Sequence, residues 1–512
     1  MKFFLICLIM AIPAFCAPDW KWYTADPHIH AHTCNNQFTP VEDILVEMKK
    51  ENINIGSILI WGNGGSLQYD FPNFRGQEDD PISEDNWKVR WDVEISGLPG
   101  KWHGHMMMLN VAQLDIIDSA TGGVNYPGVE YQLPNFKYMH DVEGVLGYSH
   151  LQMWHSKYEM PSALCCQPRE MPMDVTLTKV DFVGMEGFND NFMWIWYGML
   201  QGGFMLPIVG DSDYGCIADK IGAYHTAFPI PAGETLSYDK FIDAIRKGRT
   251  IARKNNTPPD HLDIRVNEAL LGDTLFVDAE SDSVTVEIDA SSIVSGRQVQ
   301  LVMNGAVVKS STITSDLSTY IYKIQIDKSS WLAARISSGA NDFSAHTSVV
   351  QVLVGGCPVR NDPAGARQWV SYLDKYYAQA TAENYTTGKA AELKEKLDLA
   401  KAAWEDIALE GEGKKEMNCI EPVAIKQHVG DLREQVMMEF AISRSGLVHF
   451  GPQASSQASI SIYSIKGDCI AVLSDNTWNG RDQTGVRVPD GLYFARVTYG
   501  SKQQVVRFSL VR

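Results

Sequence analysis

The stretch DPHIHAHTC, residues 26–34, follows the apolar-aromatic run WKWY and carries Asp26, His28, His30 and His32 at every second position. Side chains two residues apart in a β-strand leave from the same face. If this stretch is a strand, a carboxylate and three imidazoles therefore stand in one row. A His-x-His pair alone is weak evidence of a metal site, because paired histidines often bond only to backbone.

The chain has the composition of a globular protein. Its 512 residues are 45% hydrophobic and 21% charged, enough for several domains with substantial cores. The 44 Lys and Arg against 62 Asp and Glu leave a net charge of −18. With this balance and no extended basic run, we expect no nucleic-acid partner held by phosphate neutralisation.

Residues 1–17 have the features of an export signal. MKFFLICLIMAIPAFCA combines one lysine, an apolar run and small residues near its end, which is typical of a cleavable secretory signal. No other segment is apolar enough to span a membrane. We therefore predict a secreted or cell-surface protein without a transmembrane span.

The cysteines beyond this signal are scattered and include no C-x-x-C pair. They resemble neither a zinc ribbon nor a dense disulfide framework. An oxidising compartment permits bridges, for example Cys357 with Cys419, but the sequence does not fix the pairing. Cys34, beside the histidine row, is a ligand or a bystander, and we favour the bystander.

The hydrophobic patterns divide the rest of the chain into four regions. Residues 18–260 alternate short β-like runs with amphipathic helices, which predicts an α/β domain whose functional residues sit at the C-terminal ends of parallel strands. Residues 261–360 read as a small β-sandwich and 361–415 as a helical hairpin or spacer. Residues 420–512 return to strands.

The last region contains TWNGRDQTGVRVPDGLYFARV, which resembles a FlgD-like, immunoglobulin-type repeat. Its terminal position is similar to that of the sorting domains of secreted bacterial proteins. The resemblance implies a bacterial secretion or cell-surface machinery as a partner. A plain β-sandwich appendage is the equally weighted alternative.

Further polar residues accompany apolar runs downstream of the histidine row. They are Glu94 in WDVEISG, His103 and His105 in KWHGHMMMLN, His150 in GVLGYSHLQ, Glu186 in DFVGMEGFND, and Asp211 and Asp213 in LPIVGDSDYG. Buried imidazoles and carboxylates are costly unless paired or metallated, so a shared ion is the economical explanation. Mixed nitrogen and oxygen ligands suit Zn, Mn or Fe.

The order H-x-H, V-E-I-S, G-H, Y-S-H, strand-end Glu and G-D-S-D resembles the PHP (polymerase and histidinol phosphatase) superfamily, and most closely its CehA/McbA-type metallohydrolases. The resemblance spans about residues 22 to 310 and implies a distorted (β/α)7 barrel. It carries over six metal ligands, with Glu186 as a weaker seventh: His28, His30, Glu94, His105, His150 and Asp213. Trp61, Gly62 and Asn63 replace the usual T-D-H, and Gly215 replaces the His of S-D-x-H, which leaves one to three ions open.

Such a centre would hydrolyse a bond with a metal-activated water. His105, His150 or Asp211 would orient that water or protonate the leaving group. Arg249 in RKGRT would hold an anionic substrate group or the oxyanion, or is simply a solvated residue after a helix. Asp26, His32 and His103 have supporting or structural roles in this interpretation. The aromatic side chains of residues 193–205 are expected to pack in the core in preference to lining a substrate pocket.

These features predict a secreted metal-dependent hydrolase acting on an ester, amide, carbamate or phosphoester bond of a small or polymer-linked substrate. The missing T-D-H and S-D-x-H histidines motivate an alternative. In that alternative, a degenerate barrel retains an ion without activity, and the protein is a surface-displayed binding protein.

Overall fold

The computed structural model describes residues 20–419 and 440–510, apart from gaps at 33, 35–36, 64–65, 68–69, 96–103, 114–116, 119–122, 125–130, 154–155, 161–165, 255–259, 279–282, 383–389, 443–447, 451–457, 465–468, 474–476, 484, 490 and 500–501. The predicted signal, residues 1–17, lies outside the described residues, as do His103 and His155. The chain forms two compact units. Unit 1 is Met1–Leu275, Glu280–Leu353 and Val359–Glu416, and unit 2 is Phe276–Ala279, Val354–Pro358 and Met417–Arg512.

The first part of unit 1 is mixed α/β, as the alternating pattern predicts. Its strands are β1 (Trp20–Ile29), β2 (Ile55–Asn63), β3 (Ser66–Leu67), β4 (Lys88–Ile95), β5 (Met106–Leu109), β6 (Ile117–Asp118), β7 (Gly123–Val124), β8 (Val145–Tyr148), β9 (Phe182–Met185), β10 (Ile208–Gly210), β11 (Tyr224–Pro231) and β12 (Ile251–Lys254). Its helices are α1 (Val41–Lys50), α2 (Leu133–Asp141), α3 (Met171–Leu177), α4 (Asp190–Gln201) and α5 (Tyr238–Arg246).

Strand direction brings the functional candidates to one edge of the large sheet. The order is β10-β9-β8-β5-β4-β2-β1-β11-β12. The pairs β1–β2, β2–β4, β8–β9 and β9–β10 are parallel, while β5 runs antiparallel to both β4 and β8. The C-terminal ends of the parallel strands therefore share an edge with the N-terminal end of β5, which His105 precedes.

Side chains connect the two ends of this strand series. Thr226 Oγ1 donates to Gly210 O (2.9 Å), and Gly210 N donates back to Thr226 Oγ1 (3.1 Å). Thr250 Oγ1 donates to Ile208 O (2.7 Å). Among the described residues no backbone ladder joins β10 to β11 or β12. The structure thus shows a large mixed sheet rather than a barrel closed by backbone pairing.

The β-rich region after residue 260 continues this sheet. Its strands are β13 (His261–Val266), β14 (Ala269–Leu270), β15 (Thr274–Val277), β16 (Ser283–Ser291), β17 (Gln298–Met303), β18 (Ala306–Thr312), β19 (Ser318–Gln325), β20 (Ser330–Ser337), β21 (Phe343–Thr347) and β22 (Val350–Val354). β12 pairs with β21, so the large sheet extends through β21-β20-β17-β18, while β14-β13-β16-β19 form a second sheet. Alternate residues of β16 are buried, as expected of a strand with one face on a core.

The helices α6 (Pro363–Ala382) and α7 (Ala390–Gly411) pack on the first part of unit 1. Trp404 Nε1 donates to Pro172 O (2.6 Å), and Trp369 stacks on Trp194 with ring centroids 5.6 Å apart. The hairpin is thus docked on the α/β region through buried tryptophans instead of standing as a free spacer. The α4 aromatics also pack, because Trp196 is fully buried and donates to Leu206 O (2.8 Å).

Unit 2 contains most of the C-terminal β-region. Its strands are β23 (Phe440–Ile442), β24 (Val448–Phe450), β25 (Ala458–Ser464), β26 (Cys469–Leu473), β27 (Thr477–Trp478), β28 (Gly491–Tyr499) and β29 (Lys502–Leu510). They form the sheets β23-β24-β27 and β26-β25-β28-β29 around a core that includes Trp478. A disulfide joins Cys357 to Cys419. In the described parts of the chain, every helix is too short or too polar to cross a bilayer.

Candidate metal centre

The shared sheet edge carries a buried cluster of imidazoles and carboxylates. Seven of its members are at most 4% exposed: His28, His30, Glu94, His150, Glu186, Asp211 and Asp213. His105 is the eighth and is partly exposed. The structure therefore brings together every ligand that the sequence motifs predict, although these residues span almost two hundred positions.

Three of the histidines are each oriented by an acceptor oxygen that lies within hydrogen-bond distance of one ring nitrogen. The Nδ1 atoms lie 3.1 Å from Asp211 Oδ2 for His28, 3.1 Å from Leu59 O for His30 and 2.7 Å from Glu186 Oε2 for His150. A carbonyl or carboxylate oxygen can only accept, so each Nδ1 carries the proton. This arrangement turns Nε2 of each ring inward, where its lone pair is free to bind an ion once the ring is neutral, as in histidines that ligate metals.

A first group of ligand atoms has the separations expected around one ion. His28 Nε2 and His30 Nε2 lie 3.4 and 3.1 Å from Asp213 Oδ1, and His30 Nε2 lies 3.4 Å from Glu94 Oε2. Two ligands that each sit about 2.1 Å from a tetrahedral ion are about 3.4 Å apart. His28 Nε2 and Asp213 Oδ1 are buried without a hydrogen-bond partner. These four residues thus fit a divalent cation.

A second group surrounds the other oxygen of Glu94. Glu94 Oε1 lies 2.7 Å from His105 Nδ1 and 3.8 Å from His150 Nε2, and these two nitrogens are 3.0 Å apart. A third group joins His28, Glu186 and Asp211. Asp211 Oδ1 is also buried without a hydrogen-bond partner. Glu94 therefore stands between two potential ion positions.

Two cysteine sulfurs adjoin the cluster, but both are oxidised. Cys216 groups with His30 and Asp213, and Cys166 groups with His105 and His150, with ligand atoms within 4.8 Å in each group. Cys216 is bonded to Cys34, and Cys166 is also disulfide-bonded. Neither sulfur is a thiolate in this state, so the ligands are nitrogen and oxygen only, which suits Zn, Mn or Fe. Cys34 is in none of these groups, in agreement with the expectation that it is not a ligand, but it closes the bridge to Cys216.

The carboxylates hold protons on the imidazoles. Burial by itself lowers the pKa of His30, but Asp213 and Glu94 outweigh it and raise the pKa to about 9. Burial is likewise outweighed at His150, where Glu186 raises the pKa to about 10. Despite burial, His28 holds the pKa of Asp213 down to about 2. Burial and the charge of Glu186 raise the pKa of Asp211 to about 7.

Two cluster residues adopt left-handed backbone conformations. His150 has φ 63° and Asp213 has φ 48°. Non-glycine residues rarely adopt this region, and they concentrate at functional sites. Asp213 O accepts hydrogen bonds from the backbone of Cys216 (3.0 Å) and Ile217 (2.9 Å), which hold its turn in place. Gly184 leaves room for Asp211, because a Cβ there would lie 2.7 Å from Asp211 Oδ1.

Asp26 fastens the loop of Asp211 and Asp213 to β1. Its carboxylate accepts from Ser212 N (3.1 Å), Ser212 Oγ (2.5 Å), Gly222 N (2.7 Å) and His28 N (3.2 Å). His32 lies outside the cluster, with Nδ1 2.7 Å from Asp70 Oδ1. Sequence reasoning anticipated the supporting role of Asp26, but it predicted the same role for His32, which pairs with Asp70 instead. It missed Leu59 O, because a backbone carbonyl has no signature in the sequence.

Arg249, a predicted catalytic residue, is not part of the cluster. Its guanidinium lies over the ring of Trp20 (5.5 Å), at the start of β1, and pairs with Asp273 (3.4 Å). Eight residues of strand separate Trp20 from His28, or roughly 25 Å. The prediction of a substrate contact at Arg249 is therefore wrong, because the late helix ends at the opposite edge of the sheet.

An open cavity of about 400 Å³ lies near the cluster, lined by residues that include Ile217, Lys220, Tyr224 and Lys254. Tyr224 begins β11 at the same sheet edge, and Phe188, two residues after Glu186, stacks on it with centroids 5.5 Å apart. Burial and then the charge of Glu186 raise the pKa of Tyr224, so the phenol lies within the field of the cluster.

No protein-family model matches this chain, and a search of curated proteins finds no significant relative. The assignment to the PHP superfamily thus stays a prediction from motifs.

Proposed function

We propose that this protein is a metal-dependent hydrolase of the PHP type, with a CehA/McbA-like centre that cleaves an ester, amide, carbamate or phosphoester bond. One observation carries the proposal. Three buried histidines are each fixed through Nδ1, and their Nε2 atoms converge with carboxylate oxygens, several of which have no hydrogen-bond partner. Such a set of ligand atoms is costly to bury without a cation.

We assign the residues of the cluster to two roles, metal ligand and proton carrier. His28, His30, Glu94 and Asp213 would hold one ion, and Glu94, His105 and His150 a second. A bound divalent ion would lower the pKa of a water and polarise the substrate oxygen. Asp211, whose pKa is raised by burial to about 7, is suited to accept a proton near neutral pH. Where no second ion is bound, His105, which is partly exposed, would serve the leaving group instead.

The cavity beside the cluster is the proposed substrate pocket. Lys254 is exposed at its edge and has no ion-pair partner among the described residues, whereas Lys220 pairs with Glu51. Lys254 would contact a polar or anionic end of the substrate, and Tyr224 would pack against its body. This pocket replaces Arg249 as the region for substrate contacts.

Export and display are also part of the proposal. The disulfides Cys34–Cys216 and Cys357–Cys419 support an oxidising compartment. The FlgD-like motif supports attachment or sorting through residues 420–512. The side-chain bonds from β10 to Thr226 and Thr250 support a barrel-like arrangement.

The test uses the full mature chain. Elemental analysis would measure bound Zn, Mn and Fe, and hydrolysis of p-nitrophenyl phosphate, acetate and carbamate esters would be assayed with and without chelator. We expect at least one ion per chain and turnover that the chelator abolishes. Metal-bound protein that hydrolyses none of these esters would instead support a binding protein with an inactive centre.

A further inference from the structure

We propose that Cys216 is a latent metal ligand, masked by its disulfide with Cys34. Its sulfur, His30 and Asp213 offer ligand atoms that all lie within 4.8 Å of one another. In the disulfide this sulfur has no thiolate charge and is a poor ligand. As a thiol it would lose its proton to the solvent on binding and coordinate the ion held by His30 and Asp213.

The backbone keeps Cys216 in place when the disulfide opens. His30 N donates to Tyr214 O (3.1 Å), and Tyr214 N donates to His28 O (3.2 Å). Cys216 N donates to Asp213 O (3.0 Å), two residues from this pairing. The loops that the disulfide joins are therefore already held together, so the free thiol would stay within reach of the same ion.

The exposed partner makes the disulfide reducible. Cys34 is exposed, while Cys216 is partly buried toward the cluster. A dithiol reductant would attack Cys34 or Cys216, deliver two electrons and two protons, and become a disulfide itself, leaving two thiols. The ligands would then change from nitrogen and oxygen only to a set with one thiolate, which favours Zn over Mn.

The consequence is a centre that depends on the oxidation state. A thiolate on the ion would occupy a coordination position that the proposed hydrolysis needs for water. A disulfide oxidant met after export would take two electrons and two protons from Cys34 and Cys216 and become a dithiol, and the disulfide formed between the two cysteines would remove this ligand and open the position. This inference rests on the metal-binding part of the proposed function but does not require that any substrate be hydrolysed.

The experiment compares two variants of the full chain that lose the same cross-link. Cys34→Ser leaves Cys216 as a thiol, and the double variant Cys34→Ser/Cys216→Ser removes both sulfurs. Each is titrated with Co²⁺ and followed by its near-ultraviolet sulfur-to-cobalt charge-transfer band. Cys419→Ser, which leaves Cys357 as a thiol in unit 2, is the matched control for an unrelated free cysteine.

We expect a stoichiometric charge-transfer band in Cys34→Ser alone, with Co²⁺ bound at least about tenfold more tightly than by the double variant. Hydrolysis should be lower in Cys34→Ser than in the double variant. Co²⁺ binding by both variants without a band in either would overturn the inference and leave the metal centre standing. Absence of Co²⁺ binding in every form, wild type included, would overturn both.

A second measurement tests the inference on the wild-type protein in case the Cys34→Ser variant does not fold. The oxidised wild-type protein with Co²⁺ is treated without oxygen with a phosphine, which takes oxygen from water to become its oxide as the disulfide becomes two thiols. The band should appear on reduction and disappear on reoxidation. The same treatment of the double variant should give no band, and a band there would assign the signal to another cysteine.

Discussion

Two sets of carboxylates are fully buried in unit 1, and they are satisfied in different ways. Beneath the helical hairpin, Glu170 accepts from Tyr376 OH (2.5 Å) and Gln132 N (2.7 Å), and Asp174 accepts from Tyr148 OH (2.5 Å). Burial and then the charge of Glu170 raise the pKa of Asp174 well above its usual range, which favours the neutral form of this carboxyl. We call these residues the hairpin network.

The metal centre differs from the hairpin network because its carboxylates require positive charge to balance them. Its carboxylates face imidazoles, and their pKa values show that the metal-free centre must take up protons on His30 and His150. Several of its ligand atoms still have no hydrogen-bond partner. Asp174 Oδ1 in the hairpin network also has none, but a protonated carboxyl carries no charge to balance, whereas the centre at the sheet edge requires cations, either protons or metal.

Removing one carboxylate from each region should separate them most sharply. Asp213→Ala deletes an oxygen that faces both His28 and His30, and we expect metal affinity and hydrolysis to fall by more than about 100-fold, beyond the loss typical of outer-shell substitutions. Asp174→Asn is the matched control, with full metal content and activity. Elemental analysis and ester assays measure both variants. Full metal content in Asp213→Ala would place the ion elsewhere.

Metal binding should release protons from the centre. The pKa values of His30 and His150, about 9 and 10, leave both rings protonated at pH 7, and an ion binds only the neutral rings. Each of the two proposed ions binds one of these rings, so at least about one proton is released per ion, and Kd should fall by at least about 10-fold for each unit of rising pH near neutrality. Calorimetry in buffers of different ionisation enthalpy counts the protons, and a count of zero would contradict the assigned ring states.

The same pKa values set how the metal-free fold depends on pH. Both histidines titrate above the ordinary value of 6.5, so protonated rings stabilise the metal-free fold fully below about pH 6.5. That contribution is lost as the pH rises through about 9 and 10. Thermal unfolding with and without Zn²⁺ should therefore diverge as the pH rises, with the metal-free protein the less stable.

Asp211→Asn should have an intermediate effect. The change keeps an acceptor for His28 Nδ1 but removes the carboxylate charge and the group proposed to carry the proton. Because it is an outer partner of His28 in the first group, we expect metal affinity to fall by about 10-fold to 100-fold. Metal titration at fixed pH measures this loss. A loss as large as that of Asp213→Ala would show that Asp211 itself is a ligand.

The members of the site could be predicted from sequence because each lies at a strand end. Glu94, Glu186 and Asp211 all end or follow short apolar runs, and strand direction then brings them to one edge. Arg249 was misplaced because a motif after a helix does not reveal which edge of the sheet it reaches. The large mixed sheet with its helices was also predictable, because the hydrophobic period and the length of each element can be read from its local sequence.

Features that depend on distant pairing could not be predicted. The Cys34–Cys216 bridge joins positions 182 residues apart, and nothing in the local sequence of either cysteine identifies its partner. The docking of α7 on α3 likewise depends on which surface its buried Trp404 meets. The pairing of β12 with β21 makes the sheet continuous across residue 260, where the change in sequence texture predicts a domain boundary.

The smallest expected effect belongs to the hairpin network and tests the hydrogen bond that Tyr376 donates to Glu170. Tyr376 OH donates to a Glu170 oxygen, whereas Tyr372 OH donates to the backbone oxygen of Arg169 (3.1 Å). Removing a donor to a charged group costs about 1.5 to 3 kcal/mol, and removing one to a neutral group about 0.5 to 1.5 kcal/mol. Tyr376→Phe should therefore lower the free energy of unfolding more than Tyr372→Phe does, as measured by urea titration.

Both phenylalanine variants should keep full metal content, because neither hydroxyl contacts the metal centre. Equal destabilisation by the two changes would mean that the hydrogen bond from Tyr376 to Glu170 is no stronger than the bond from Tyr372 to the backbone. A loss of metal in Tyr376→Phe would instead show that the two regions are energetically coupled, most directly through Tyr148, which ends the strand β8 that leads to His150.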